Sequence, residues 1–150
     1  MNPYFEQTIL NADPVELTAM VYQRAIACVR AAREHLKNGR IAERSNNISR
    51  AYEALAELLS ALRPETAPEF AGRLQGLYYY MQQRLLDANL QQADQPLEEV
   101  LGLLSTLAES WSVVAAQLRV RGEEPAVREA PSGNSMASGY EDAVRLPIHA

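Results

Sequence analysis

Apolar residues recur at intervals of three and four along four long stretches of the 150-residue chain, and proline and glycine separate these stretches. This spacing places the apolar side chains on one face of a helix, whereas a half-buried strand alternates every second residue. No segment of the sequence shows that alternation with turn signals on both sides. The pattern therefore predicts an all-α protein.

Helix boundaries are marked by cap and turn residues. Asp13-Pro14-Val15-Glu16 combines a capping aspartate, a proline in the first turn and a glutamate that can reach back to the cap. Gly39 offers the left-handed residue that ends many helices, so the first helix is predicted at about 14–37.

The other three helices are bounded in the same way. The second is predicted from Ile41 to near Pro64, the third after Thr66 as its cap, and the fourth after Asp94. The stripes predicted to face the core are, helix by helix, Leu17, Met20, Val21, Ala25, Cys28, Ala32 and Leu36; Ile48, Ala51, Tyr52, Leu55, Leu58, Leu59 and Leu62; Phe70, Leu74, Leu77, Tyr78, Met81 and Leu85; and Leu97, Val100, Leu101, Leu104, Leu107, Trp111, Val114 and Leu118.

Four helices of similar length with short connections favour an antiparallel, up-down-up-down four-helix bundle over residues 13–121. Residues 1–12 contain Tyr4, Phe5, Ile9 and Leu10, and we expect this segment to pack on the bundle as an N-terminal lid. Residues 122–150 are rich in glycine, proline and serine, a composition typical of a disordered tail.

Composition excludes several classes of protein. The formal charge is −5 and the basic residues are spread along the chain, which argues against nucleic-acid binding. Cys28 is the one cysteine and cannot form an internal disulfide, as is typical of a reducing compartment. The sequence has neither a secretory signal nor an apolar run of the roughly 20 residues that a membrane span needs. We therefore expect a cytoplasmic protein without membrane insertion.

Residues with catalytic or ligand-binding chemistry are few. The two histidines, His35 and His149, lack the glutamate three residues earlier that di-iron bundles use, and with one cysteine they form no zinc set. We predict no catalytic residue, no metal and no cofactor, and hence no enzyme. The alternative is a histidine phosphotransfer bundle, a signalling domain that uses His35.

Three consecutive tyrosines, Tyr78, Tyr79 and Tyr80, point about 100° apart on the third helix. Tyr78 shares the apolar stripe and is predicted to be buried, but Tyr79 and Tyr80 cannot both join it. Two interpretations remain open: they are half-exposed against neighbouring helices, or they anchor a partner, since tyrosine is enriched at interface hot spots. Tyr22 in the first helix raises the same question.

The sequence resembles the FliS family over about residues 4–118. The resemblance lies in the order and spacing of short segments, namely Tyr4, Asp13-Pro14-Val15-Glu16-Leu17, Met20-Val21-Tyr22, Ile48-Ser49-Arg50-Ala51, Glu57-Leu58, Leu74-Gln75-Gly76-Leu77-Tyr78-Tyr79-Tyr80-Met81, Arg84-Leu85, Ala88-Asn89, Leu97, Val100 and Trp111. Val21-Tyr22 stands where the family usually has Leu-Tyr, and Gln23 stands where an acidic residue is common.

The resemblance implies a helical bundle without catalytic activity that acts as a cytosolic chaperone of flagellin. Such proteins bind the disordered C-terminal segment of flagellin, prevent its early polymerisation and help to deliver it to the flagellar export gate, a second implied partner. The N-terminal segment, here with Tyr4, Phe5, Ile9 and Leu10, covers part of the binding surface when no client is bound. The protein is expected as a monomer or a weak homodimer.

From this resemblance we expect the flagellin-binding surface to be lined by Tyr22, Ile26, Tyr79, Tyr80, Arg84 and Asn89. Two of these residues have simpler alternatives: Asn89 as a helix C-cap and Arg84 as a solvated arginine. A bundle that dimerises through its lid, with no client, is a third interpretation of the whole chain.

Overall fold

A computed structural model describes residues 14–122 of the chain. The predicted lid, its cap neighbour Asp13 and all of the predicted tail except Gly122 lie outside the described residues. The described part contains four α-helices and no strand, which confirms the all-α prediction. The helices are α1 (Pro14–Lys37), α2 (Ile41–Ser60), α3 (Pro68–Gln91) and α4 (Gln95–Arg121).

The boundaries of α1 match the predicted range because its end is set by local chemistry. Gly39 has a φ of +69°, the left-handed conformation that glycine adopts without steric cost. The N–H of Arg40 then donates to the C=O of His35 at 2.9 Å, which satisfies a carbonyl at the end of the helix.

The residues before α3 and α4 make no side-chain cap bond. Ala67, not the predicted Thr66, precedes α3, and its methyl side chain cannot accept a cap hydrogen bond. Thr66 lies one residue earlier, in a turn in which its N–H donates to the C=O of Arg63. Asp94 does precede α4, but its carboxylate makes no cap bond within the helix. It accepts instead from Arg33, near the end of α1.

The helices form an antiparallel ring in which α1 and α3 each pack against α2 and α4. Trp111 in α4 donates to the C=O of Val15 at the start of α1 (3.1 Å), while Arg33 near the end of α1 binds Asp94 at the start of α4. This pairing of opposite ends fixes α1 and α4 as antiparallel, as the short connections predicted.

The buried core follows the predicted stripes with three corrections. In α1 the core face is wider than predicted: Tyr22, Ile26 and Val29 join its buried residues, whereas Met20 is only half-buried. Phe70 and Val114 were predicted to be core residues but are exposed at 47% and 41%. They belong to α3 and α4, which share the least extensive of the four interfaces.

The stretch from Gln95 to Val120 in α4 is long and apolar enough to cross a membrane by length and composition alone. Part of that apolar character is used in the bundle, since Leu97, Val100, Leu104 and Ala115 are buried in the core. The rest lies on the outer side of α4, where Val113, Val114 and Val120 are exposed.

A hydrogen bond crosses the centre of the bundle between the diagonal helices α1 and α3. The hydroxyl oxygens of Tyr22 and Tyr78 are 2.5 Å apart, and the two residues are 3% and 2% exposed. Burial raises the pKa of both phenols. Each hydroxyl is the other's partner, so neither polar group is left unsatisfied in the core.

We expect Tyr22→Phe and Tyr78→Phe each to lower the free energy of unfolding by about 1–3 kcal/mol, because each leaves one buried hydroxyl without a partner. The double variant should be no less stable than either single variant, since both hydroxyls are then gone. Urea unfolding of the four proteins tests this cycle. Strictly additive losses would contradict the coupling.

Arg33 and Asp94 join the end of α1 to the start of α4 through two parallel bonds, from Nε to Oδ1 (2.8 Å) and from Nη2 to Oδ2 (2.9 Å). The hydrogen bond from Arg33 lowers the pKa of Asp94 below its ordinary value of 3.8. The stabilisation is therefore complete above pH 3.8 and is lost as the pH falls through the lowered pKa.

Asp94→Asn should reduce this acid-dependent loss of stability by less than about 1 kcal/mol, because the pair is partly exposed to solvent. The measurement is the difference in melting temperature between neutral and acidic solution. Glu109→Gln is the matched control, since Glu109 is exposed on the same helix and forms no ion pair with a described residue. An equal change in both variants would rule out a specific contribution of Asp94.

Candidate functional site

The three consecutive tyrosines of α3 occupy three different environments. Tyr78 is buried, as predicted, while Tyr79 and Tyr80 are 52% and 44% exposed. The hydroxyl of Tyr80 donates to Glu99 of α4, whereas the hydroxyl of Tyr79 bonds to no described residue. Consecutive side chains of a helix point about 100° apart, so the two exposed tyrosines lie on different sides of α3.

Tyr79 begins an exposed apolar line along α3, which we call the α3 stripe and define as Tyr79, Leu86 and Leu90. The residues follow at intervals of seven and four, so they share one side of the helix. Leu86 is 48% exposed and Leu90 is 84% exposed. Exposed leucines in line with a tyrosine are the feature of this helix that core packing does not explain.

The α3 stripe borders α2. Gln82 and Asn89, which lie between the stripe and the core face of α3, both bond to α2: Gln82 to the C=O of Tyr52 (3.3 Å) and Asn89 to Ser45 (3.0 Å). Ile41, the first residue of α2, is 60% exposed one turn before Ser45. The stripe and Ile41 together leave apolar surface on the α2 side of α3.

On its other side α3 makes a polar cluster with α4. Glu99 accepts from the hydroxyl of Tyr80 (2.8 Å) and from Nε of Arg84 (2.7 Å), and Arg84 also donates to Asp87 (3.2 Å). The hydrogen bond from Arg84, with that from Tyr80, lowers the pKa of Glu99. Arg84 is thus paired with carboxylates on two sides and is not simply solvated, as the alternative interpretation had it.

Asn89 lies in a second polar cluster, between the last turn of α3 and the first turn of α2. Its Oδ1 accepts from Oγ of Ser45 (3.0 Å) and from Nε of Arg44 (3.3 Å). The alternative of Asn89 as a helix C-cap is wrong, because α3 continues to Gln91 and Gln92 takes the left-handed cap position.

Tyr22 and Ile26 lie beneath the surface, 3% and 4% exposed. Tyr22 bonds to Tyr78, the direct neighbour of Tyr79, so it supports α3 from inside the bundle. The six residues predicted from the family resemblance therefore fall into four settings: the core, the α3 stripe and the two polar clusters. Their roles in binding stay a prediction.

Residues with catalytic potential are poorly placed for chemistry. His35 is half-buried in the last turn of α1, and its Nδ1 is sealed from solvent with no hydrogen-bond partner among the described residues. Phosphotransfer bundles need an exposed histidine in mid-helix. Cys28 is buried, and burial raises the pKa of its thiol, which favours the unreactive form. Within residues 14–122 no three metal-binding side chains come together.

A cleft of about 560 Å³ lies where the end of α1 meets the start of α4. It is lined by Arg30, Arg33, Glu34, Leu36, Lys37, Asp94 and Leu101. Arg33 and Asp94 form an ion pair in this lining, and the other charged side chains are Arg30, Glu34 and Lys37. No histidine or cysteine lines the cleft.

Leu86, Leu90 and Arg44 were not identified from the sequence. The two leucines follow Leu85 and Asn89 in a helix whose core stripe had already been assigned, and only their spacing from Tyr79 could have identified them. Arg44 carries no local signal, because an arginine in the first turn of a helix is ordinary.

Comparison with known proteins identifies the family. The sequence profile described as flagellar protein FliS matches residues 1–118. The flagellar secretion chaperone FliS of Salmonella typhimurium (strain LT2) is 36% identical over 111 residues, covering 73% of this chain and 82% of that protein. Two further chaperones are similar. FliS of Bacillus subtilis (strain 168) is 29% identical, and the match covers 73% of this chain and 84% of that protein. FliSB of Pseudomonas aeruginosa (strain PAO1) is 30% identical, and the match covers 73% of this chain and 87% of that protein. This four-helix protein with a partly apolar outer surface belongs to the FliS family of flagellar secretion chaperones.

Proposed function

We propose that this protein is a cytoplasmic chaperone of flagellin. It binds the disordered C-terminal segment of flagellin, prevents its premature polymerisation and assists its delivery to the flagellar export gate. Three relatives carry the name flagellar secretion chaperone, which supports a role in export and one without catalysis. The buried thiol of Cys28 and the half-buried His35 agree with a protein that acts by binding.

The observation that carries the proposal is the exposed α3 stripe beside α2. An amphipathic segment that folds into a helix buries its apolar face in a groove between helices, with anchors at intervals of three, four and seven residues. Tyr79, Leu86 and Leu90 show the same spacing on the surface of this protein, which would receive the client helix. Burial of this surface offsets the entropy that the client loses when it becomes ordered.

The six predicted residues take different parts in this proposal. Tyr79 contacts the client directly, while Tyr80 and Arg84 bound the surface on the α4 side and Asn89 bounds it at the end of α3. Tyr22 and Ile26 lie in the core and hold α3 in position through Tyr78.

The predicted lid has a part in the same proposal. Tyr4, Phe5, Ile9 and Leu10 cover part of the apolar surface until a client displaces them. A surface with exposed leucines favours association with other copies, so a segment that shields it keeps the empty chaperone soluble.

Calorimetric titration of the full chain with the C-terminal segment of flagellin from the same organism tests the proposal. We expect saturable one-to-one binding with a negative heat-capacity change, since apolar burial is coupled to folding of the client. A folded, helical chain that gives no heat and no co-elution with the segment would refute it.

Tyr79→Ala and Leu86→Ala should each weaken flagellin binding by about 1–2 kcal/mol, because each removes an exposed anchor of the surface. The melting temperature should change little, since both side chains are about half exposed. The measurements are the dissociation constant by calorimetry and the thermal melt by circular dichroism.

Val113→Ala is the matched control, since Val113 is 54% exposed on the outside of α4 and contributes nothing to the α3 stripe. It should leave binding unchanged. If all three variants lost affinity equally, the binding surface would not be the α3 stripe. A large fall in melting temperature with unchanged binding would assign Tyr79 and Leu86 to packing.

A further inference from the structure

Arg44 is the most buried charged side chain of the described structure, at 5% exposure. Unlike Arg33 and Arg84, it forms no ion pair with any carboxylate among residues 14–122. Removing a guanidinium from water without a counter-charge is unfavourable, and proteins usually pair such groups. A lone buried arginine is therefore a candidate for contact with a charge supplied from outside.

The hydrogen bonds of Arg44 leave most of its donors free. Its Nε donates to Oδ1 of Asn89 (3.3 Å), and the same oxygen accepts from Oγ of Ser45 (3.0 Å). The terminal guanidinium nitrogens donate to no described residue. Arginine only donates, so the oxygen of Asn89 must face it and the amide nitrogen of Asn89, which has no acceptor within the described chain, faces away.

These spare donors are not completely sealed. Among the described side chains, Nδ1 of His35 is the one polar atom that is both sealed from water and without a partner, so the unused nitrogens of Arg44 and Asn89 keep some contact with solvent. Asn89 lies in the last turn of α3, whose partial negative charge helps to accommodate the guanidinium when nothing is bound.

The donors border the α3 stripe. Leu86 lies three positions before Asn89 in α3, and Leu90 directly follows it. The exposed Ile41 precedes Arg44 by one turn of α2. An apolar segment seated on the stripe would thus bring its own polar groups to the free nitrogens at this end of the bundle.

We propose that Arg44, together with the amide of Asn89, binds a carboxylate of the client at the end of the α3 stripe. The guanidinium fork matches a carboxylate with two parallel bonds, and a partly desolvated site strengthens them. The carboxylate belongs either to an aspartate or glutamate side chain of the client or to its chain terminus. This inference rests on the proposed function, and it adds a fixed polar contact that sets the position of the client along the groove.

The test compares Arg44→Met with the control variant Arg50→Met. Arg50 is an exposed arginine of the same helix and forms no ion pair with a described residue. Arg44→Met should weaken binding of the flagellin C-terminal segment by about tenfold or more, because a charge-assisted contact is lost. Its melting temperature should stay the same or rise, since an apolar side chain replaces an unpaired buried charge. Arg50→Met should leave both quantities unchanged.

Variants of the client locate the carboxylate. One arm changes each aspartate and glutamate of the segment singly to its amide, and a second arm uses the segment with an amidated C-terminus. The correct change should weaken binding to the wild type about as much as Arg44→Met does, and should cause no further loss with Arg44→Met.

Several outcomes would overturn the inference. Binding by Arg44→Met as tight as that of the wild type would overturn it, and so would an affinity loss that a lower melting temperature explains by itself. Equal small losses from every carboxylate change would indicate diffuse electrostatics without a fixed partner. If the wild type itself fails to bind the segment, the proposed function falls and this inference falls with it, whereas normal binding by Arg44→Met refutes the inference alone.

Discussion

A helix in a four-helix ring buries only the face that looks into the bundle, and α3 carries more apolar surface than that face can hold. Tyr78, Met81 and Leu85 fill the core, while Tyr79 and Leu86, each one position further along, are turned out of it. The helix cannot rotate to bury the second set without exposing the first, and the bond from Tyr78 to Tyr22 fixes the choice. The exposed stripe is thus a direct consequence of how the core is built.

Most of the fold could be predicted from the sequence because the helices begin and end at residues whose own backbone chemistry sets the boundary. Gly39 ends α1 through its own left-handed backbone, and the proline at position 68 opens α3 in its first turn. The errors arose where a neighbour decided the outcome. Phe70 and Val114 have helical apolar spacing, but α3 and α4 share too little surface to cover them, which no pattern within one helix can reveal.

The candidate site was less predictable because it is made of long-range pairs. Tyr80 and Arg84 meet Glu99 from another helix, and Asn89 meets Ser45 across 44 positions of the chain. The sequence indicates an excess of aromatic residues on α3, and the family resemblance indicates which residue types matter. Neither shows that Tyr22 is covered and Tyr79 is open, since that depends on how far each helix is rotated in the ring.

The arginines show how the same side chain takes different parts in one bundle. Arg33 and Arg84 are half-buried, and each pairs with a carboxylate at or near the start of α4, so their charges are neutralised within the fold. The pair of Arg33 joins α1 to α4, and the pair of Arg84 joins α3 to α4. Arg44 is more buried than either, yet its bond to Asn89 satisfies one donor and none of its charge. If stability alone had shaped this position, an apolar residue would serve better. A charge at the end of an exposed apolar stripe fits the client carboxylate that we propose for this position.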